Sequence, residues 1–314
     1  MTIFFIQYEP ILKPFYVKPY PKLQNIGHKT LTLRRIVKRK KMKKRTILIT
    51  GAGSGLGKGT AIGLAKVGHK IIAAVHTWEQ MSRFKEELKD TNHEKNIELF
   101  KLDILDPIDC EKAWTYDIDI LVNNAGIGQT GPLAEIPVDL LREVMETNTF
   151  STLEFSQPFI KKMVEKGQGK VVFLSSIAGL TTSPFLGPYN ASKHALEAIA
   201  QCLRDELKPL GVTVATINPG PFETGFNDRM YDSYKQWFDE DFHFTDKKDL
   251  EKAAKGMADN QFDPQTMIDK MVEVIPQEEH NYRTVCPEKM ESMCQEYQNR
   301  QYKIQTNTID KSKK

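Results

Sequence analysis

From Thr46 to Cys286, short runs of β-branched and apolar residues alternate with helical stretches, and this alternation limits the fold more than any other feature. Strand-like runs read at 46–50, 70–75, 97–101, 119–122, 170–175, 212–217 and 282–286. Helical periodicity falls between them, near 56–67, 79–90, 107–115, 138–166, 189–208 and 264–275. Such an order builds a parallel sheet covered by helices on both faces. Right-handed crossovers make it one doubly wound α/β domain of three layers, with its ligand crevice at the carboxyl ends of the strands.

The first strand runs into Thr50-Gly51-Ala52-Gly53-Ser54-Gly55-Leu56-Gly57 and then a helix. Glycines there let the backbone turn tightly and approach a pyrophosphate, which the free N–H groups and dipole of a helix N-terminus favour. A phosphate-transferring P-loop needs glycine where Ala52 stands and Ser or Thr where Gly59 stands, so that reading fails. Leu56 also breaks the GxGxxG spacing. A dinucleotide remains the expected ligand of this Rossmann-type turn.

Three further motifs follow in order: Asn123-Asn124-Ala125-Gly126 after the fourth strand, Ser176 at the end of the fifth, and Tyr189 with Lys193 opening the next helix. Together with Thr50-Gly51-xxx-Gly55-x-Gly57 they resemble the short-chain dehydrogenase/reductase family in its single-domain form, over residues 44–286. Tyr189 and Lys193 leave one helix face a turn apart. A phenol of pKa ~10 beside an ammonium is expected to be lowered toward use as an acid or base. Ser176 can donate to a carbonyl oxygen on which charge develops; Ser175 is its neighbouring candidate.

The resemblance implies further roles. Asn148 matches the asparagine that holds a water of the proton relay, so Asn148, Ser176, Tyr189 and Lys193 are the expected catalytic residues. Expected cofactor-binding residues are Thr50, Gly51, Ser54, Gly55, Leu56 and Gly57 at the turn, and His76, Asp103 and Ile104 toward the adenosine. Asn124, Ala125, Gly126, Tyr189, Lys193, Pro219, Gly220 and Thr224 complete them. The segment Ala73-Ala74-Val75-His76-Thr77-Trp78 has no acid to meet a ribose diol, which favours NADP(H) over NAD(H). His76 and Thr77 could hold a phosphate or merely form the turn.

Composition closes off other classes. The chain of 314 residues is 40% apolar, enough for a sizeable core, and no run of apolar residues reaches the length of an integral membrane span. Four cysteines without CxxC spacing imply a reducing compartment, and no His or Cys spacing implies a metal. Residues 1–41 carry ten basic residues and one acid, leaving 34 basic and 40 acidic residues, a net −6, in 42–314. Nucleic acid is therefore not an expected partner of the domain.

Residues 1–41 read as a basic extension outside the fold: a leader, an organellar targeting segment, a polybasic contact, or an over-long reading of a chain starting at Met42. Residues 42–314 read as the catalytic domain, with a lid at about 221–262 and a polar tail. Eight of the chain's 29 aromatics fall within 222–244, either an apolar lid over a hydrophobic substrate or simple packing. The expectation is a cytoplasmic oxidoreductase moving a hydride between a nicotinamide and a carbonyl/alcohol pair. By resemblance it associates as a homodimer or homotetramer through the helices at 138–166 and 189–208. The rival is a dinucleotide-binding regulatory or scaffold protein without turnover; an epimerase or dehydratase lacks its extra substrate domain here.

Overall fold

The computed structural model describes residues 43–306, so the reading of the basic extension and the last eight residues lie outside the described part. Seven strands form one parallel sheet: β1 (Thr46–Ile49), β2 (Lys70–Val75), β3 (Ile97–Lys101), β4 (Ile120–Asn123), β5 (Gly169–Leu174), β6 (Val212–Pro219) and β7 (Arg283–Cys286). Their order is β3-β2-β1-β4-β5-β6-β7. The chain starts at the centre, winds outward to β3, then crosses back beside β1 at β4. That reversal opens the crevice at the carboxyl ends of β1 and β4.

Strands covered on both faces must be apolar on both, and β1 shows why its sequence reads as an unbroken run. Ile47 and Ile49 point into one apolar layer, with Leu64, Ile71, Phe84, Met267 and Met271. Leu48 points into the other, with Ile72, Leu121, Phe155, Phe159 and Phe173. Helices α1 (Gly55–Lys66), α2 (Trp78–Leu88) and α9 (Pro264–Val274) cover the first layer. A Cβ on Gly59 would lie 2.3 Å from Ile268 Cδ1, and one on Gly63 would lie 2.4 Å from Val272 Cγ2. Glycines one turn apart thus cut the groove in α1 that seats α9.

The second layer is covered by α3 (Pro107–Ala113), α5 (Ser151–Lys166) and α6 (Gly187–Leu207), with α4 (Val138–Met145) leading into α5. Here the structure corrects the expected single helix over 138–166. A π-helical turn, Glu146–Phe150, separates α4 from α5. The turn is held by side chains: Thr152 Oγ1 donates to Thr147 O at 3.0 Å, and Asn148 is bonded outside the helix. The lid carries α7 (Phe226–Asp232) and α8 (Lys247–Ala258), and the tail carries α10 (Lys289–Gln301). No helix among the described residues is long and apolar enough to cross a membrane.

Candidate active site

The glycine turn is locked to the neighbouring strand by polar side chains. Buried Thr50 accepts the backbone N–H of both Asn124 and Ala125 at 3.0 Å through its hydroxyl. Asn124 answers by donating Nδ2 to Thr50 O at 2.8 Å and Gly51 O at 3.0 Å. Gly51 has φ +65°, and a Cβ there would sit 2.9 Å from Ala125 Cα, so only glycine fits. At Gly57 a Cβ would meet Asn124 Nδ2 at 2.4 Å and Gly51 O at 2.6 Å.

Ser54 caps α1 in extended backbone without a side-chain cap bond. The first amides of α1 therefore have no side-chain acceptor, and Ser54, Gly55, Leu56 and Gly57 line the crevice. An anion suits that end of the helix. Residues that cradle a pyrophosphate without room for side chains fit a dinucleotide.

At the far end, β2 delivers His76, whose Nε2 lies 3.4 Å from Asp103 Oδ2. Asp103 also accepts the Leu105 N–H at 2.9 Å, and Ile104 lines the wall. Thr77 takes the other of its two expected roles: its hydroxyl accepts the Gln80 N–H at 3.1 Å in a capping box that starts α2.

The reacting end gathers side chains from three elements. Tyr189 and Lys193 both point inward from α6, with the Lys193 Nζ 5.6 Å from the centre of the Tyr189 ring. Lys193 donates to Leu174 O at 2.9 Å, fastening α6 to the end of β5. Ser176 Oγ accepts the Ala178 N–H at 3.1 Å and donates to Pro219 O at 3.4 Å. Ser175 also lines the crevice, and its buried hydroxyl has no partner among the described residues.

Burial decides the charge states here. It raises the Tyr189 phenol above its ordinary value, opposed by the Ser176 hydroxyl. Burial also pushes Lys193 down to about 8, with Glu197 opposing. The expected lowering of the phenol is thus reversed in this structure, because burial prevails and the neighbouring Tyr231 adds to the rise.

Asn148 stands behind the reacting groups. Its Oδ1 accepts the Ile127 N–H and its Nδ2 donates to Ile127 O, both at 2.8 Å, while Nδ2 also lies 3.0 Å from Ser192 Oγ. A Cβ on Gly126 would be 3.0 Å from Asn148 Oδ1 and 3.7 Å from Lys193 Nζ, so all three converge on one point.

The crevice has a cavity volume of about 660 Å³. Of the expected residues, Gly51, Ser54, Gly55, Leu56, Gly57, His76, Asp103, Ile104, Asn124, Ala125, Gly126, Ser176, Tyr189, Lys193, Pro219, Gly220 and Thr224 line it. Thr50 and Asn148 stand behind the wall and brace it.

The lid aromatics divide. Phe222, Phe226 and Tyr231 line the crevice, Phe226 lying 5.7 Å from Tyr189 between ring centres. Trp237, Phe238 and His243 pack on one another, and Phe242 and Phe244 are exposed. Sequence reasoning missed Ile127, Gly128 and Gln129, which line the wall after Gly126. Their position directly behind the Asn-Asn-Ala-Gly motif was the available signal.

A parallel α/β sheet with its glycine turn, crevice and buried Ser-Tyr-Lys group defines a Rossmann-type nucleotide-binding oxidoreductase. A family model described as short chain dehydrogenase matches residues 45–235, and the chain belongs to the short-chain dehydrogenase/reductase family. It is 35% identical over 187 residues to an NADPH-dependent 3-dehydrocapnine reductase of Ornithobacterium rhinotracheale, covering 57% of this chain and 66% of that one. It is 33% identical over 199 residues to dehydrogenase/reductase SDR family member 7B of Rattus norvegicus, covering 59% and 60%. The match thus spans less than two thirds of each of these relatives.

Solved structures agree on the fold. A short chain dehydrogenase/reductase from Burkholderia phymatum in complex with NAD superposes with a TM-score of 0.71 at 20% identity, over 86% of this chain and 98% of that one. One from Burkholderia cenocepacia in complex with NADP gives 0.61 at 22% identity, over 83% and 94%.

Proposed function

We propose that this protein moves a hydride between NADP(H) and a carbonyl/alcohol pair on a hydrophobic substrate. The observation that carries the reading is the convergence of Ser176, Tyr189 and Lys193 on the crevice that begins at the glycine turn. When bound, a nicotinamide supplies or accepts the hydride. Ser176 donates to the substrate oxygen as charge develops on it. Tyr189 gives that oxygen a proton, or takes one in the reverse direction. Lys193 holds positive charge beside the phenol and is placed to hold the ribose, while Asn148 fixes the main chain behind them and supports the proton relay.

Cofactor preference rests on the end of β2, where residues 73–78 offer no carboxylate and His76 stands exposed as a partner for a 2′-phosphate. The NADPH-dependent relative supports the same choice. Hydrophobicity of the substrate rests on Ile127, Leu186, Phe226, Met230, Tyr231 and Met257 around the reacting end. Arg229 and Gln236 add polar contacts from the lid.

The test is the absorbance change of NADPH and NADH against panels of hydrophobic ketones and aldehydes, with the converse panels of alcohols. Turnover faster with NADPH supports the reading. Tight nucleotide binding without turnover on any panel member would replace it with a regulatory, non-catalytic role.

A further inference from the structure

Glu197 follows Lys193 by four residues and Tyr189 by eight, so α6 carries phenol, ammonium and carboxylate on one buried face, a turn apart. Glu197 is only 4% exposed, and no step of the hydride chemistry needs it. A carboxylate desolvated this far persists only with partners for both oxygens. Oε1 accepts from Asn218 Nδ2 at 2.6 Å, and Oε2 accepts from Arg283 Nη2 at 2.6 Å.

Asn218 is fully buried near the end of β6, directly before Pro219 and Gly220. Its Nδ2 also donates to the main-chain oxygen of Ser176 at 3.0 Å. Thr216 Oγ1 donates to Asn218 Oδ1 at 3.2 Å, which fixes the orientation of the amide. The turn after Ser176 lies flush on this junction, where a Cβ on Gly179 would be 2.8 Å from Lys193 O and 3.1 Å from Glu197 Cγ. The serine turn, the tyrosine helix and the end of β6 therefore meet at one carboxylate.

We infer that Glu197 is a positioning residue: through Asn218 it sets where Ser176 stands relative to Tyr189, while Arg283 on the edge strand β7 neutralises its charge. This rests on Ser176 and Tyr189 being the reacting pair. Glu197 touches no reacting atom. An ion pair whose sole task was to hold β7 would need no second bond to the end of β6, and well-packed apolar residues would hold that strand at least as well.

Two variants test the link. Glu197→Gln keeps the shape but turns a donor toward one of two donors, and Asn218→Ala removes the relay while leaving the Glu197 ion pair with Arg283. Amide hydrogen exchange read by mass spectrometry on the full chain needs no substrate. Both variants should exchange roughly tenfold faster in peptides covering 176–181 and 219–224, with β1 and α1 unchanged, because the opening is local.

Turnover is then measured with NADPH and 9,10-phenanthrenequinone, well below the melting temperature. Each variant should lose about tenfold in kcat while NADPH Kd stays within about threefold, and the double variant should lose no more than the worse single one. Unchanged exchange at 176–181, or losses that multiply in the double variant, would overturn the inference. A wild type that does not turn over the quinone speaks against the proposed activity, and exchange alone then decides the positioning role. If Glu197→Gln does not fold, Asn218→Ala carries both readouts.

Discussion

Asn148 and Ile127 close a reciprocal pair of hydrogen bonds, side-chain amide against main chain, each at 2.8 Å. The pair joins the π-helical turn at Glu146–Phe150 to the loop after β4, which carries Gly126 against Lys193. A regular helix would rotate position 148 by about 100° per residue of register lost, so the wide turn is what aims the amide.

Asn148→Ala should therefore cost both stability and turnover. It leaves the half-buried N–H and C=O of Ile127 without their side-chain partner, worth roughly 2 kcal/mol together. A thermal melt should show a fall of several degrees, about what that energy implies for a chain of this size. An unchanged melting temperature would mean that the loop after β4 finds other partners.

Tyr189→Phe removes a hydroxyl and keeps the ring against Phe226. Nucleotide Kd should survive, while kcat should fall by roughly 10²–10⁴, the worth of general acid/base catalysis. Lys193→Met should reduce kcat and also weaken nucleotide binding, and it frees Leu174 O from its donor. Retention of above roughly a tenth of wild-type kcat by Tyr189→Phe, a change under ~1.4 kcal/mol in barrier, would place the proton elsewhere.

His76→Asp should weaken NADPH and strengthen NADH. The new carboxylate repels a 2′-phosphate and accepts from ribose hydroxyls, and it would stand beside Asp103, adding like charge. Titration calorimetry with both nucleotides checks this. A wild type binding NADH tenfold tighter, ~1.4 kcal/mol, would reverse the cofactor assignment.

Stability should rise between pH 7 and 9. Buried Lys170 donates to Val274 O, Ile275 O and Gln277 O at the end of α9, with His280 Nε2 2.6 Å away, and burial pushes its pKa down to about 7. Lys193 is pushed to about 8. Both ordinarily titrate at 10.5, so in this window the unfolded chain holds more protons than the native one, and raising pH favours the native state. Each group contributes a slope of up to ~1.4 kcal/mol per pH unit until both states are neutral. Urea unfolding at pH 7, 8 and 9 reads it, and Lys170→Met should flatten the slope between 7 and 8. A wild-type slope of zero would show that the Lys170 ammonium keeps its ordinary affinity for protons.

The strands were legible because a sheet covered on both faces needs apolar runs such as Ile47 to Ile49 and Ile71 to Val75, whichever helices pack on it. The glycine turn and the Tyr189 and Lys193 pair were legible as local spacings. The break at 146–150 was not, since Val144, Thr147 and Thr152 keep a buried face across it and the cause, Ile127, lies 21 residues upstream of Asn148. Helices α7 and α8 were hidden in the lid because its aromatics follow no single period, some facing the crevice and others each other. Glu197 gave no sign of its role because Asn218 and Arg283 lie 21 and 86 residues away in sequence.

The glycine seam between α1 and α9 imposes an order on biosynthesis. The helix that opens the nucleotide crevice is translated early, at Gly55–Lys66, and the helix seated in its groove is translated late, at Pro264–Val274. A nascent chain that has emerged only through β6 leaves Gly59, Thr60 and Gly63 uncovered on that side, with no Ile268, Met271 or Val272 to meet them. Until those last helical turns leave the ribosome, the front half of the crevice is an apolar surface awaiting its cover. A premature stop before α9 therefore disables the nucleotide end of the protein while leaving every glycine of the turn in place.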